Sequence, residues 1–323
     1  MKKVVIITGQ TATGKTKLAL QKAREENGEL INCDSRQVYK KLDIITGKDL
    51  TNHNFLSVKK ENNFDIGYYE LETINSNPVK IWLYDIVDPK KYFSSFDFQI
   101  LAIPLISKII NRGKTPIIVG GTYFYLQHLL YGIETYNVTA DWKLRDELNC
   151  KSVVELQKQL IKINKPLFDS LNNSDRNNPQ RLIRKIEICR HSGKRSTSRI
   201  DSGVGVHHDA PLQLSTKLRT NIQIEYLGLR FKNKDFMHTA IKKRVEERLK
   251  NGAIEEVENL LKDDYTENDP GLKTIGYQQI IKYIQRKITK EQAIEEWRIR
   301  EHQYTKRQYT FMKSDLNIAW QEV

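Results

Sequence analysis

An α/β fold built on a phosphate-binding loop is what this sequence predicts, and three observations predict it. A β-branched run, Val4-Val5-Ile6-Ile7, leads into Gly9-Gln10-Thr11-Ala12-Thr13-Gly14-Lys15-Thr16, and a helical repeat begins at Lys15. Short apolar runs then alternate with helical periodicity as far as Leu130, the pattern of a parallel, doubly wound sheet. Between Lys143 and Arg190 strand signals stop. Amphipathic segments rich in Lys, Arg, Leu and Ile there indicate an all-helical insertion.

Each element follows from its residues. Val4–Ile7 has no polar alternation, so it reads as a strand covered on both faces. Lys15 to Glu26 places Leu18, Ala19 and Ala23 on one helical face. Glu29–Cys33 is a second strand, and Ile81–Val87 a third, closed by Asp88-Pro89. Phe98–Ile110 repeats apolar positions at helical spacing. Pro116–Val119 is a fourth strand, followed by Gly120-Gly121 and a helix through Leu130. Ser192–Thr220 is poor in apolar residues and rich in Ser, Thr, Gly and His, which predicts a mobile loop. Ile224–Phe231 rejoins the sheet. Helices are expected over Lys234–Asn251, Ala253–Lys262, Tyr277–Gln285 and Lys290–Met312, and Leu316–Trp320 as an edge strand. The expected division is a P-loop core over 1–135 and 221–323, which includes the C-terminal helices, and a helical insertion with its loop over 136–220.

Composition narrows the function classes. The 323 residues carry 53 Lys and Arg against 40 Asp and Glu, a net charge of +13. A chain this basic suits a polyanionic partner, although a composition rich in Lys, Asn and Ile also accounts for part of the excess. Cys33, Cys150 and Cys189 are far apart and form no CxxC pair, which argues against a disulfide framework or cysteine zinc site and for reduced thiols in a cytoplasmic protein. The first apolar run breaks at Thr8-Gly9-Gln10, unlike a signal peptide. No run approaches the ~20 apolar residues of a membrane span. No long apolar stripe is left unassigned, which favours a monomer.

Four motifs carry chemistry. Gly9 to Thr16 fits GxxxxGK[ST] between a strand and a helix, the context that identifies a P-loop. Its backbone N–H groups and the helix N-terminus favour phosphate. Lys15 adds a positive charge, and the Thr16 hydroxyl can ligate Mg²⁺. Asp34-Ser35 follows the second strand, on the side where such sheets bind ligands. Asp34 there fits a base, a metal ligand or a helix N-cap. Leu83-Tyr84-Asp85 resembles a strand-end Mg²⁺ carboxylate, and a structural Asp fits equally well. Gly120-Gly121-Thr122 ends the fourth strand, with a hydroxyl able to bond phosphate.

In order, these pieces resemble the tRNA dimethylallyltransferases. The likeness is carried by the P-loop, Asp34-Ser35-Arg36-Gln37-Val38-Tyr39, Asp43-Ile44 with Thr46 and Lys48, Asp85-Ile86-Val87-Asp88-Pro89, and Gly120-Gly121-Thr122. It continues through Asn178-Pro179-Gln180-Arg181-Leu182-Ile183-Arg184, Ile275-Gly276-Tyr277 and Tyr304-Thr305-Lys306-Arg307-Gln308. It runs from Val4 to about Trp320. The resemblance implies that the P-loop (Gly9, Gln10, Thr11, Ala12, Thr13, Gly14, Lys15 and Thr16) cradles dimethylallyl diphosphate with Mg²⁺ at Thr16. The acceptor it implies is the exocyclic amine of the adenosine 3′ of the anticodon.

The resemblance makes Asp34 the base and gives Thr122 and Arg145 the leaving diphosphate and nearby tRNA. It assigns the anticodon stem-loop to Asp34, Ser35, Arg36 and Gln37, to Gln180, Arg181, Leu182, Ile183 and Arg184, and to Lys273, Thr274, Ile275, Gly276, Tyr277 and Gln278. This sequence departs from the family at Gln10, where proline is usual, at Ile45 and Gly47, at Tyr123-Phe124, and at His302, where arginine is common. A small-molecule P-loop kinase also fits the P-loop and Asp34. It leaves the net charge, the basic C-terminal helices and Pro179-Gln180-Arg181 unexplained.

Overall fold

Val4, Val5, Ile6 and Ile7 are all fully buried, as expected for a strand covered on both faces. They form the middle of β1 (Lys2–Gly9). The computed structural model describes residues 2–50, 53–61, 63–73, 76–132, 138, 141–192 and 222–323. Apart from Ser192, the loop expected over Ser192–Thr220 lies outside them. The other strands are β2 (Gly28–Asn32), β3 (Leu56–Glu61), β4 (Phe64–Thr73), β5 (Ser76–Trp82), β6 (Thr115–Val119), β7 (Ile222–Arg230) and β8 (Ala319–Glu322). They form one sheet in the order β3-β4-β5-β2-β6-β1-β7-β8.

The chain divides into two compact units, Met1–Tyr131 with Pro211–Val323, and Gly132–Ala210. The first carries the sheet with α1 (Lys15–Glu25), α2 (Ser95–Asn111) and α3 (Tyr123–Tyr131). The second contains α4 (Trp142–Asn149), α5 (Val153–Ser170), α6 (Asn173–Arg176) and α7 (Pro179–Ser192). The chain then returns to the first through β7, α8 (Lys234–Lys250), α9 (Ala253–Lys262), α10 (Tyr277–Ile284), α11 (Lys290–Met312) and β8.

The sheet differs from expectation in two places. From β5 to β8 every pairing is parallel, but β4 runs antiparallel to both β3 and β5. The sequence reading missed this hairpin because β3 is exposed along nearly its whole length and bulges interrupt both pairings. The third strand also ends at Trp82 instead of Val87, because Leu83 (φ 67°) and Asp85 (φ 55°) turn left-handed and leave the ladder. At the start of α2 a capping box between Ser94 and Asp97 brings the helix in before Phe98.

In the α/β unit, Ala19 and Ala23 of α1 pack with Val5, Ile7, Leu30, Ile81 and Ile117. Small residues let the helix approach the sheet closely and hold the end of the P-loop at the strand tips. The helical unit has its own core, in which Leu144, Leu156, Leu160, Leu182 and Ile186 meet. Each such side chain stabilises it by about 1.5–3 kcal/mol. Non-helical backbone at Asn164 breaks α5 just before Pro166, and the Asn164 side chain caps the second half by accepting from the Leu167 N–H at 3.0 Å.

Candidate active site

The carboxyl ends of β1, β2 and β6 lie side by side and carry the P-loop, Asp34 and Thr122 respectively. Gly9 has φ 131°, and a Cβ there would stand 2.1 Å from the Leu229 carbonyl oxygen. Only glycine lets the chain leave β1 against β7. Gly14, at φ 80°, precedes α1 without a side-chain cap, so the amides heading the helix face the loop.

Gln10 is built into the scaffold. Its N–H donates to the Leu229 carbonyl at 3.0 Å, its Nε2 to the Thr305 carbonyl at 3.3 Å, and its Oε1 accepts from the Phe231 N–H at 2.9 Å. The Thr11 N–H donates to Oε1 of Gln308 at 2.9 Å, while Nε2 of Gln308 donates to the Gly121 carbonyl at 3.0 Å. The Gln10 and Thr11 amides are therefore committed inside the protein. The loop amides outside these bonds are those of Ala12, Thr13, Gly14, Lys15 and Thr16. Thr13 donates its hydroxyl to the Gln10 carbonyl at 2.7 Å, and Lys15 Nζ reaches the same oxygen at 2.6 Å. Burial lowers the Lys15 pKa to about 8; the Asp34 charge opposes the shift and Arg244 of α8 adds to it.

The Asp34 turn is rigid. Oδ1 of Asn32 accepts from the Asp34 N–H at 3.0 Å, and Oδ1 of Asp34 accepts from the Arg36 N–H at 2.9 Å. Asp34 caps a turn here, not a helix. Oγ1 of Thr122 accepts from the Ser35 N–H at 2.9 Å and lies 3.2 Å from the Ser35 hydroxyl. The structure thus brings together the P-loop, Asp34, Ser35 and Thr122. Gln37 turns away and donates to the carbonyls of Thr46 (3.2 Å) and Gly47 (3.0 Å).

Lys48 is fully buried against Asp43, Asp85 and the Tyr39 carbonyl, and Asp85 also accepts from the Tyr69 hydroxyl at 2.6 Å. Asp85 is thereby structural. Beside the turn, Nη1 of Arg36 reaches the Pro270 carbonyl at 3.4 Å, and the Gly271 N–H donates to the Pro89 carbonyl at 2.9 Å. This tethers the segment that continues to Lys273–Gln278. There Lys273 is exposed and Ile275 half-buried, while Thr274, Gly276 and Tyr277 are buried and Gln278 is tied to the Glu267 and Leu272 carbonyls at 2.9 Å each.

Arg145 belongs to the helical unit. Its Nε and Nη2 grip the two oxygens of fully buried Glu187 at 2.9 and 2.8 Å. Arg184 pairs with the same carboxylate and donates to the Val138 carbonyl at 2.9 Å. In the expected RNA-contact segment, Leu182 and Ile183 are turned into the core of the unit. Gln180 and Arg181 are exposed, bonded to Asn149 and Asp175 respectively.

The sequence reading missed Arg244. This half-buried arginine donates to the Thr46 carbonyl at 3.3 Å, influences both Lys15 and Glu301, and has a buried Nε with no partner among the described residues. The available signal was arginine at positions 244 and 248, one turn apart on a helix whose Ile241 and Val245 are core residues. The rings of His302 and His238 lie tilted at 34° with centroids 4.0 Å apart, and burial with that neighbour lowers the His302 pKa.

Among the described residues no helix is long and apolar enough to cross a membrane, and no group of three or more His, Cys, Asp or Glu residues is placed to hold a metal. A family model described as IPP transferase matches residues 62–315. A tRNA dimethylallyltransferase of Thermoanaerobacter sp. (strain X514) is 31% identical over 98% of this chain and 90% of its own length. That of Anoxybacillus flavithermus is 32% identical over 98% and 89%. The solved tRNA isopentenylpyrophosphate transferase of Bacillus halodurans superposes with a TM-score of 0.63 at 28% identity, covering all of this chain and 90% of that one. With its P-loop, Asp34 and Thr122 gathered at one edge of the sheet, the chain belongs to the IPP transferase family.

Proposed function

We propose that this protein transfers the dimethylallyl group of dimethylallyl diphosphate to the exocyclic amine of the adenosine 3′ of the anticodon in tRNA. The observation that carries the reading is the placement of Asp34 beside Lys15 of the P-loop, with Ser35 locked to Thr122. That arrangement sets a base next to a leaving-group cradle.

The amine nitrogen forms a bond to C1 of the allyl group, the C1–O bond breaks with its electron pair leaving on diphosphate, and Asp34 takes the amine proton. An amine conjugated with a purine is a weak nucleophile, so a base contributes as the bond forms. Amides of Ala12–Thr16, Lys15 and Arg244 neutralise the charge developing on diphosphate. The exposed Thr16 hydroxyl would hold Mg²⁺ brought with the diphosphate, and the ion would supply further charge neutralisation. The sparse carboxylates near the loop fit a cation held mainly by substrate oxygens and water.

The adenine has to leave its stack to reach Asp34. Arg36, Lys273 and the basic surface of α11 suit the tRNA backbone on the α/β unit. In the helical unit Gln180 and Arg181 are the exposed members of the segment assigned to the stem-loop, and Arg145 with Arg184 shapes its surface from within.

The test is mass spectrometry of nucleosides from unmodified tRNA incubated with the protein, Mg²⁺ and dimethylallyl diphosphate, beside a parallel reaction with ATP. Prenylated adenosine formed only with the prenyl donor is the expected result. Phosphate transfer or RNA-stimulated ATP hydrolysis without a prenyl adduct overturns the proposal.

A further inference from the structure

We infer that the ring of Tyr304 faces the allylic carbon and stabilises the positive charge that develops there as diphosphate departs. The inference rests on the transfer reaction proposed above and adds a role for a residue outside the P-loop and the Asp34 turn.

The placement of Tyr304 follows from α11. Trp297, Glu301, Thr305, Gln308 and Met312 form its buried stripe. Two members of that stripe touch the P-loop: the Thr305 carbonyl accepts from Gln10, and Gln308 accepts from Thr11 while donating to Gly121. Tyr304 is adjacent to Thr305 and one helical turn before Gln308, so its side chain leaves the helix on the Gln308 side of that stripe. It is half-buried, and its hydroxyl bonds Gln308 of the same stripe. Asp34 and Arg36 both lie within electrostatic range of its hydroxyl, and burial together with Asp34 raises its pKa, so the phenol is neutral when the reaction runs. The other tyrosine that senses Asp34, Tyr84, is only 3% exposed. Tyr304 is thus a half-buried ring beside the helix stripe that touches the P-loop and within electrostatic range of Asp34.

Chemistry gives such a ring a task. Heterolysis of an allylic C–O bond leaves positive charge shared over two carbons. Asp34 cannot supply all of the compensation, since it also takes the proton. An aromatic face attracts a nearby cation without acting as a nucleophile that traps it.

The experiment compares single-turnover prenylation by the wild-type protein with Tyr304→Phe, Tyr304→Leu and variants carrying phenylalanine of increasing ring fluorination at position 304. Thermal unfolding and tRNA affinity are measured in parallel. The expected result is near wild-type transfer with phenylalanine, a loss of roughly tenfold in rate with leucine at unchanged donor and tRNA affinity, and a steady decline along the fluorinated series. Because the fluorinated rings keep the shape of phenylalanine, the series reads the charge effect even if the leucine variant fails to fold. Equal rates across the series overturn the inference, as does a loss with leucine confined to tRNA affinity, which makes the ring a stacking platform for the base. If the wild-type protein itself forms no prenylated adenosine, the proposed transfer reaction fails, a result distinct from every outcome in the variant series.

Discussion

The two units spend their positive charges differently. In the helical unit, Arg145 and Arg184 converge on Glu187 and hold the unit together from inside. In the α/β unit, Lys15 lies within electrostatic range of Asp34 and Arg244 of Glu301, and each donates to a backbone carbonyl. Cations are therefore joined to a shared carboxylate in one unit and to single backbone carbonyls in the other. An arginine that is already bidentate to a carboxylate has little left to give a ligand. One held only by a carbonyl keeps most of its charge for an incoming anion.

Four experiments sharpen or break this contrast. The largest effect is expected at Asp34. Asp34→Asn keeps an acceptor for the Arg36 N–H and removes the base, so single-turnover transfer should fall by about 10²–10⁴-fold with tRNA binding nearly unchanged. Unchanged transfer would remove Asp34 from catalysis.

Next is Glu187→Ala, which takes the shared carboxylate away from two half-buried guanidinium groups. The helical unit should lose about 1.5–3 kcal/mol, read as early unfolding in a two-step thermal melt, while the sheet unit melts as before. Burial alone would raise the Glu187 carboxyl, but Arg145, Arg184 and the Asp141 N–H outweigh it and hold the pKa below its usual value. This stability is present above the ordinary carboxylate range and is lost as pH falls through the depressed value, so acid titration should release the helical unit in the wild type and not in Glu187→Ala.

Lys15 gives a smaller, pH-dependent effect. With a pKa of about 8 in the unliganded protein, it binds diphosphate best while protonated, so affinity is full below pH 8 and declines by up to about tenfold per pH unit above it. Calorimetry at pH 8.5 in buffers of different ionisation enthalpy should show a proton taken up on donor binding. No uptake would mean that Lys15 is already protonated there.

The smallest effect belongs to Arg181, exposed on α7. Arg181→Ala should weaken tRNA binding a few-fold and reduce its salt slope by about one, leaving stability nearly unchanged. An unchanged slope would exclude a phosphate contact.

Much of the catalytic edge was legible in the sequence. The P-loop announces itself through strand, glycines and helix, and Asp34 and Thr122 follow strands whose apolar runs are plain. Direction was harder to read. Sequence spacing shows that Arg145 and Leu182 lie on helices but not that Glu187 draws one inward and the core takes the other. The commitment of Thr11 to Gln308 was also invisible, because the two residues are 297 positions apart. The β3–β4 hairpin was missed because an exposed, bulged edge strand gives little period-two signal.

The bond between Thr11 and Gln308 has a consequence for how the protein is made. The P-loop is translated 297 residues before the side chain that bonds its Thr11 amide. Until α11 emerges, the Thr11 amide lacks this partner, and the loop has its bonds to Leu229 and Phe231 but not those to Thr305 and Gln308. A chain that stalls before Gln308 therefore carries the P-loop motif without this contact.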